Sequence, residues 1–479
     1  MSAPEETNSG RQVAQSSIFY LGSQLGARAL NFVFFIMLAR SLPTAEFGIL
    51  NFALTFIVFL DIVIDLGLSR YALREISKFP DQTGWFIGTL LPFKLCASVV
   101  VYGLSCVLIL YGSDFGDNGL IFVVAVLSIL FTAPSMLFES VLQAHQKFSI
   151  IAMAHVGLSV TQFVIGVVVL LSGGSTLIIG LVFSVSNLFY CSLMIYGVRK
   201  IDLGPFHFGG LVSLGQLLKP AFPYLCSALI VILVMRAEFL ILGYFGSAED
   251  LGLYGMATKI LEAALLLPVV FGTVLAPRFA IAHARPMEVL TKLYGSSVEV
   301  LLLMVIPCAL LAYSLAPVLV WILPDRGFAQ LDSVLKLLFL GYPAACLYLL
   351  NTFVLFGAVK QSKPLILLIA LALLQVTINA VLQNGFGLWG AAYSFLGFMS
   401  IAAFASTFFI LNRFVELAKT AQAFIAPGTG LAVVALIYWL MPASMEMIRL
   451  TVALASYAAV VFMTRRLLPG GARQFTFET

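Results

Sequence analysis

Apolar segments about twenty residues long recur along the whole chain, separated by short polar gaps. The hydrocarbon core of a bilayer is about 30 Å thick, and a helix of about 20 apolar residues crosses it. The segments are continuously apolar rather than alternating, so they predict spanning helices and not the strands of a barrel. The predicted spans are 14–39, 47–68, 85–110, 119–142, 149–171, 176–197, 221–244, 252–275, 293–316, 333–357, 364–383, 388–411, 424–441 and 447–463.

The composition agrees with this prediction. Of the 479 residues, 61% are hydrophobic and 10% are charged, whereas soluble domains carry about 25% charged residues. We therefore predict an all-α polytopic membrane protein with about 14 transmembrane helices.

Lysine and arginine residues predict the side on which each gap lies, because cytoplasmic loops of membrane proteins are enriched in both. With the N-terminus in the cytoplasm, only Arg40 and Arg326 fall in outside loops. Both termini are then predicted to be cytoplasmic. The net charge of +4 follows from this topology, so we expect no nucleic-acid partner. The inside segments hold eighteen of the 26 basic residues, namely Arg11, Arg70, Arg74, Lys78, Lys147, Arg199, Lys200, Lys219, Arg278, Arg285, Lys292, Lys360, Lys363, Arg413, Lys419, Arg465, Arg466 and Arg473.

Several functional classes are disfavoured by what the sequence lacks. Residues 1–12 are polar and the first span is longer than the apolar region of a signal peptide, so we expect no cleavable signal. The six cysteines all fall inside predicted spans, which argues against a disulfide framework. The chain contains no G-x-x-x-x-G-K-[ST] phosphate-binding loop, and its four histidines lack metal-ligand spacing. We expect no enzymatic activity, no metal and no cofactor.

An internal repeat divides the chain. Gly48 and Gly252, in similar segments that follow spans one and seven, are 204 residues apart. Three further landmarks recur in the same order at offsets of 209, 213 and 210 residues: Pro134 with Pro343, Gln162 with Gln375, and Gly180 with Gly390. Both halves start inside and hold six spans, which predicts a parallel repeat of two lobes, a layout typical of transporters.

The repeat predicts the domain boundaries. Residues 198–220 join the lobes, and we expect either an interfacial amphipathic helix or a partly ordered linker there. The predicted parts are a cytoplasmic tail (1–13), an N-lobe of helices 1–6 (14–197), the linker (198–220), a C-lobe of helices 7–12 (221–411), two extra helices (412–463) and a second cytoplasmic tail (464–479).

Six basic side chains fall within or at the edges of the predicted spans, where an unpaired charge is costly unless it faces water or a partner, and four of them are candidate site residues. Arg28 and Arg236 lie deep in the first span of each lobe, and Lys94 and Lys259 lie in spans three and eight. An arginine fork suits bidentate binding of phosphate, so these residues are candidates for binding an anionic headgroup. The alternative is that they pair with carboxylates, such as Asp61 or Glu238, and hold helices together.

Carboxylates in the spans are candidates for a second role. They could bind a coupling ion, either H⁺ or Na⁺, or they could neutralise neighbouring cations. Asp61 and Asp65 are one helical turn apart, and Lys259 and Glu262 are close enough to pair within one turn. The candidates are Asp61, Asp65, Glu139, Glu238 and Glu262.

Several segments resemble motifs of one family. The segment 38–48 (LARSLPTAEFG) resembles the hairpin signature of the polysaccharide transporter family, the O-antigen and capsule repeat-unit flippases. The segments 236–245 (RAEFLILGYF) and 252–260 (GLYGMATKI) resemble its seventh-to-eighth helix motif, and 387–392 (GLWGAA) matches the start of its twelfth helix. One position departs from the family pattern, because an Asp often stands where this chain has Glu238.

The resemblance implies a fold shared with multidrug (MATE) antiporters and lipid II flippases. It also implies that the chain moves an undecaprenyl-diphosphate-linked oligosaccharide across the bacterial inner membrane, for O-antigen lipopolysaccharide, capsule or exopolysaccharide synthesis. Membrane lipids, a polysaccharide polymerase and a chain-length regulator are the implied partners. The sugar would need a polar lumen, for which the candidates are Gln24, Asn31, Gln162, Asn187, Asn351, Gln375 and Asn379. The alternative is that these amides form hydrogen bonds between helices.

Two other functions stay open at this point. A cation-coupled multidrug exporter of the same superfamily would favour a cavity of net negative charge, against which the deep arginines argue. A membrane glycan polymerase or ligase would be expected to carry a large outside loop, and the outside gaps here are mostly short.

Overall fold

The computed structural model of the protein describes residues 5–112, 119–204, 209–283, 285–321, 328, 330–357, 362–442 and 446–467. These residues form fifteen α-helices, and no strand occurs among them. The helices are α1 (Glu5–Ser41), α2 (Thr44–Asp65), α3 (Leu68–Lys78), α4 (Thr83–Gly112), α5 (Gly119–Val126), α6 (Ile129–Ala144), α7 (Phe148–Leu171), α8 (Thr176–Val198), α9 (Gly210–Phe245), α10 (Ala248–Ala282), α11 (Met287–Trp321), α12 (Leu331–Gly357), α13 (Ser362–Arg413), α14 (Leu417–Leu440) and α15 (Glu446–Leu467).

The predicted number of membrane crossings is confirmed. Twelve helical segments of the described residues are long and apolar enough to cross a membrane, and α5 and α6 together form one of them, Gly119–Ala144. Another, Pro364–Arg413, has 50 residues, about 75 Å of helix and more than twice the hydrocarbon thickness. Gly387 divides it with a φ of 51°, a conformation that glycine adopts without steric cost. The first helix, α1, contains the remaining predicted span.

The short helix α3 was not predicted. Leu66 and Gly67 have positive φ values of 50° and 79° and turn the chain sharply after α2. The carboxylate of Asp65 then accepts hydrogen bonds from the Ser69 amide, at 3.2 and 3.3 Å, and so satisfies a donor at the start of α3. One face of the helix is buried and the other is exposed, as in an interfacial helix. The buried face carries Leu68, Ala72 and Ile76, and the exposed face carries Arg70, Arg74 and Lys78.

The predicted 198–220 linker is shorter in the structure, because α9 begins at Gly210 and continues without a break to Phe245. Leu214 and Leu217 are buried in the core of the neighbouring helices, which explains why the amphipathic half of the linker is helical. Residues 205–208 of this linker, 1–4 of the N-terminal tail and 468–479 of the C-terminal tail lie outside the described residues.

By contacts the chain separates into an N-terminal unit, Met1–Met256, and a C-terminal unit, Ala257–Thr479. The N-terminal unit includes α9, which packs on α2 and α3. Its core is a cluster of buried apolar side chains from α3, α4, α6, α7, α8 and α9. The lobe boundaries inferred from the repeat stay a prediction.

In the C-terminal unit, α14 and α15 pack on α11. Arg465 donates to Glu299 at 2.7 Å, and the Tyr457 hydroxyl reaches the Leu302 carbonyl at 3.4 Å. The two extra helices predicted from the sequence are therefore fixed to the rest of this unit by polar contacts as well as by apolar packing.

Within the N-terminal unit, α2 and the first turns of α10 cross at two glycines. A Cβ added at Gly48 would overlap the Ala248 carbonyl oxygen and lie 2.9 Å from the Gly252 Cα. A Cβ added at Gly252 would overlap the Thr44 carbonyl oxygen and lie 2.7 Å from its Cγ2. The two contacts are reciprocal at the 204-residue offset seen in the sequence, the relation that a two-fold axis produces. The repeat landmark thus marks a place where only glycine fits.

Candidate functional site

Arg28 lies on α1 and its side chain is exposed. Among the side chains of α1 that the structure describes, the buried ones are Ala27, Phe34, Phe35, Leu38 and Ala39, and α1 packs along α7. Among the described residues, no carboxylate lies within ion-pair distance of the Arg28 guanidinium. Its five N–H donors are therefore not paired with any carboxylate that the structure describes.

Arg236 is in a different environment on α9. Its side chain is half-buried, and Glu238, two residues later, is 4% exposed. Both lie within electrostatic range of the buried Tyr254 hydroxyl on α10. Arg236 and Glu238 also make further contacts within the structure, so Arg236 is held by protein groups to a degree that Arg28 is not.

Lys94 on α4 is fully buried and is bound by protein groups. Its ammonium lies 2.5 Å from the Asp65 carboxylate and 3.3 Å from the Ala133 carbonyl oxygen. The pair ties α2 to α4 and α6, and Asp65 also holds the start of α3. Lys94 was a candidate for headgroup binding, but in this conformation its charge is used by Asp65, as the carboxylate-pairing alternative expects.

Asp61 lies one turn before Asp65 and has a different partner. Its carboxylate accepts a hydrogen bond of 2.8 Å from the Thr132 hydroxyl on α6, and Lys94 and Asp65 both act on it electrostatically. Asp61 is half-buried. The two aspartates therefore have different hydrogen-bond partners. Asp65 binds the Lys94 ammonium, whereas Asp61 accepts from the neutral Thr132 hydroxyl.

Glu139 on α6 is surrounded by three polar side chains from its own and two neighbouring helices. Gln143 donates to it at 3.1 Å, the Tyr190 hydroxyl on α8 donates at 3.0 Å, and His155 Nε2 on α7 lies 3.5 Å away. Of these, only Glu139 was a candidate from the sequence. The signal that could have identified His155 is an ionisable ring inside an apolar span.

Lys259 and Glu262 belong to the C-terminal unit. Their side chains are 3.5 Å apart on α10, three residues along one helix, and both make other contacts as well. The predicted pairing within one turn is thus present, but it is longer and more exposed than the pair between Lys94 and Asp65.

The amides predicted to line a polar lumen are largely buried in helix contacts. Asn351 accepts from Tyr294 at 2.8 Å and donates to Ser406 and Thr407. Asn379 donates to the Gln375 carbonyl at 2.9 Å. Asn351, Gln375 and Asn379 are fully buried. Asn351 connects α12 to α11 and α13, whereas the hydrogen bond between Asn379 and Gln375 lies within α13. Asn31 and Asn187 are half-buried, and the side chain of Gln24 lies outside the described part.

Comparison with known proteins identifies the fold. A structure titled lipid II flippase MurJ, inward closed conformation, aligns over 94% of this chain and 99% of its own, with a TM-score of 0.75 and 14% identity. An inward-facing multidrug resistance MATE family transporter of the MOP superfamily aligns with 82% of this chain and 96% of its own, with a TM-score of 0.65 and 15% identity. A eukaryotic MATE transporter gives 0.61 at 14% identity, over 86% of this chain and 98% of that one.

At these identities the structural likeness establishes the fold alone, which confirms the predicted all-helical MATE-like architecture. No curated protein sequence matches the chain. The family assignment rests on a family model, described as polysaccharide biosynthesis protein, that matches residues 13–283. These residues make up more than half of the chain and include the segments that carry the resemblance at 38–48, 236–245 and 252–260. The chain therefore belongs to the polysaccharide biosynthesis protein family.

Proposed function

We propose that the protein is a flippase for a lipid-linked oligosaccharide whose lipid carries a diphosphate, of the undecaprenyl type, in the bacterial inner membrane. The oligosaccharide moves from the cytoplasmic leaflet to the periplasmic leaflet, with both termini of the chain in the cytoplasm. Membership of the polysaccharide biosynthesis family and the flippase and transporter folds of the structural neighbours support this class of function.

The observation that carries the proposal is the exposed guanidinium of Arg28. A charge on a membrane-spanning helix is costly unless water or an anion meets it, and no carboxylate among the described residues does so. A diphosphate supplies the planar pairs of oxygens that a guanidinium binds bidentately. The prenyl chain can stay in lipid throughout, so only the headgroup requires a polar path.

The other basic candidates have secondary roles in this proposal. Arg236 is half-buried beside Glu238, and we assign it to the same headgroup when the helices rearrange. Lys94 and Lys259 are paired with carboxylates in this conformation, so we give them no direct contact with the diphosphate here. A polysaccharide polymerase and a chain-length regulator would act on the product after it reaches the outer leaflet.

The proposal is tested by flipping of a fluorescent undecaprenyl-diphosphate sugar in proteoliposomes. Arg28→Gln removes the charge while keeping a polar side chain, and we expect a loss of about tenfold or more, because hydrogen bonds to charged groups contribute about 1.5–3 kcal/mol. Arg199→Gln is the matched control, since Arg199 is equally exposed but lies at the end of α8. Equal flipping by wild type and Arg28→Gln would contradict the assignment.

The same vesicles separate the proposal from drug export. A cationic drug should gain nothing from an exposed arginine, so we expect no accumulation of a cationic dye by the wild type. Dye transport that survives Arg28→Gln, without flipping of the lipid-linked sugar, would favour the exporter instead.

A further inference from the structure

Three helices of the N-terminal unit bring a carboxylate, an imidazole and a phenol together. The Tyr190 hydroxyl on α8 lies 3.0 Å from Glu139 and 3.3 Å from His155 Nε2. His155 lies 3.5 Å from Glu139, and its ring centroid is 5.1 Å from that of Tyr190. Each of the three groups therefore contacts the other two, although they are 16 to 51 residues apart in the chain.

The network differs from the Asp65–Lys94 pair in how its charge is balanced. Asp65 is paired with a lysine, and that lysine is fully buried. Around Glu139 the groups that act on the carboxylate are His155, Tyr190 and Gln143, and among the described residues no lysine or arginine pairs with it. Of these neighbours only His155 can become positive, and only by taking up a proton.

The charge of the network is therefore set by protons alone. With one proton held by either Glu139 or His155, the group is neutral overall. Without that proton it places a net negative charge among the apolar side chains of this core, which include Leu137, Val141 and Ala154. Charge of either sign is costly there. A change in protonation should therefore change how favourably α6, α7 and α8 pack together.

The site is also partly exposed. Glu139 and His155 are each 23% exposed, in contrast to the sealed Lys94. Counting from the helix ends, the three residues lie about one and a half to two turns from the predicted cytoplasmic ends of α6, α7 and α8. Water on that side can therefore deliver a proton over a short distance.

We propose that Glu139, His155 and Tyr190 together hold one exchangeable proton, and that its uptake and release accompany the transport cycle. Tyr190 bridges the two titrating groups, because its hydroxyl can donate to the carboxylate when that is ionised and accept from the imidazole when that is protonated. The first part of this proposal concerns the protein alone, and the second part rests on the proposed function.

The first part is tested by NMR of the protein with labelled histidine rings, of which the chain has four. Between about pH 5 and about pH 8, the range in which histidines ordinarily change charge, the proposal expects the His155 ring signals to change. In Glu139→Gln and in Tyr190→Phe that change should move to a different pH, while the signals of His283, which contacts the Val354 carbonyl, stay as in the wild type. His155→Gln assigns the signals.

Two results would overturn the proton site. One is a His155 ring that does not respond to pH, and the other is a response identical in wild type, Glu139→Gln and Tyr190→Phe. Tyr190→Phe removes only one oxygen atom, so this variant alone can test the proton site if Glu139→Gln does not fold.

The second part is tested by flipping in proteoliposomes with and without an imposed pH difference. We expect the wild type to respond to the gradient, and His155→Gln and Tyr190→Phe to lose that response while flipping without a gradient persists. His283→Gln is the matched control and should behave as the wild type. A full gradient response in both site variants would overturn coupling at this site. If the wild type flips no lipid-linked sugar at all, the proposed function fails, and the NMR result still decides whether the proton site exists.

Discussion

Alanine at Gly48 provides a test of the reciprocal glycine crossing of α2 and α10. The new Cβ would lie 2.9 Å from the Gly252 Cα and closer still to the Ala248 carbonyl oxygen, whereas ordinary contacts begin near 3.4 Å. The neighbours are backbone atoms, which cannot rotate away as a side chain could. The two helices must therefore separate by about half an ångström or more, and overpacking of this kind costs about 1–3 kcal/mol.

Alanine at Gly103 is the control, and it should change the stability in the opposite direction. At Gly103 on α4, no described atom lies within 4 Å of an added Cβ, so alanine there should stabilise the helix by about 0.5–1 kcal/mol. The unfolding temperature Tm of the purified protein in one detergent compares the two variants. We expect Gly48→Ala to lower Tm by several degrees, since a unit of this size changes by about 2–4 °C per kcal/mol, and Gly103→Ala to leave it unchanged or raise it.

Gly252→Ala should reproduce the effect, and the double variant should cost less than the sum of the two, because helices already separated by one methyl group accommodate the second. A Tm of Gly48→Ala equal to that of Gly103→Ala would refute the close backbone contact. Strict additivity in the double variant would refute the reciprocity.

Three further predictions concern charged groups. Asp65→Asn leaves Lys94 buried without a counter-charge and should destabilise the protein by about 3–5 kcal/mol. The double variant with Lys94→Met should recover part of this loss in Tm. A double variant with a Tm no higher than that of Asp65→Asn would contradict the pairing. Burial lowers the pKa of His145, and a neighbouring lysine lowers it further. The stability that this gives above the unfolded pKa of about 6.5 should therefore be lost as the pH falls through the lowered value. His145→Gln should flatten the acid side of a plot of Tm against pH, and an unchanged plot would contradict this. Glu299→Gln removes the partner of Arg465, and the two side chains are only 12% and 23% exposed. We expect a loss of stability larger than the about 0–1 kcal/mol of a fully exposed pair, and an unchanged Tm would contradict the contribution of this pair.

The number and placement of spanning helices could be predicted because the bilayer imposes one length on every apolar run. The predicted span 176–197 agrees with α8, Thr176–Val198. The helix α9 begins at Gly210, eleven residues before the predicted span 221–244, because its first turns are amphipathic and a hydropathy rule detects only fully apolar turns. The helix α3 was missed for the same reason, because its basic residues lower the mean hydropathy although buried apolar residues lie between them.

The candidate charges could be identified from the sequence, but their partners could not. Any ionisable residue in an apolar run is visible, so Arg28, Asp65, Lys94 and Glu139 were all found. Which of them is paired depends on tertiary neighbours, such as Asp65 and Lys94, which are 29 residues apart on different helices. The spacing of His155 from its partners likewise follows no local pattern, because the contact exists only once α6, α7 and α8 have packed.

The most direct test of the central claim is the affinity of the protein in nanodiscs for an undecaprenyl-diphosphate sugar, measured for the wild type and Arg28→Gln. The exposed guanidinium predicts that Kd increases by about tenfold or more when its charge is removed, while Arg199→Gln binds as the wild type does. Equal affinities for wild type and Arg28→Gln would contradict the account, because the anionic headgroup would then be bound without the group proposed to bind it.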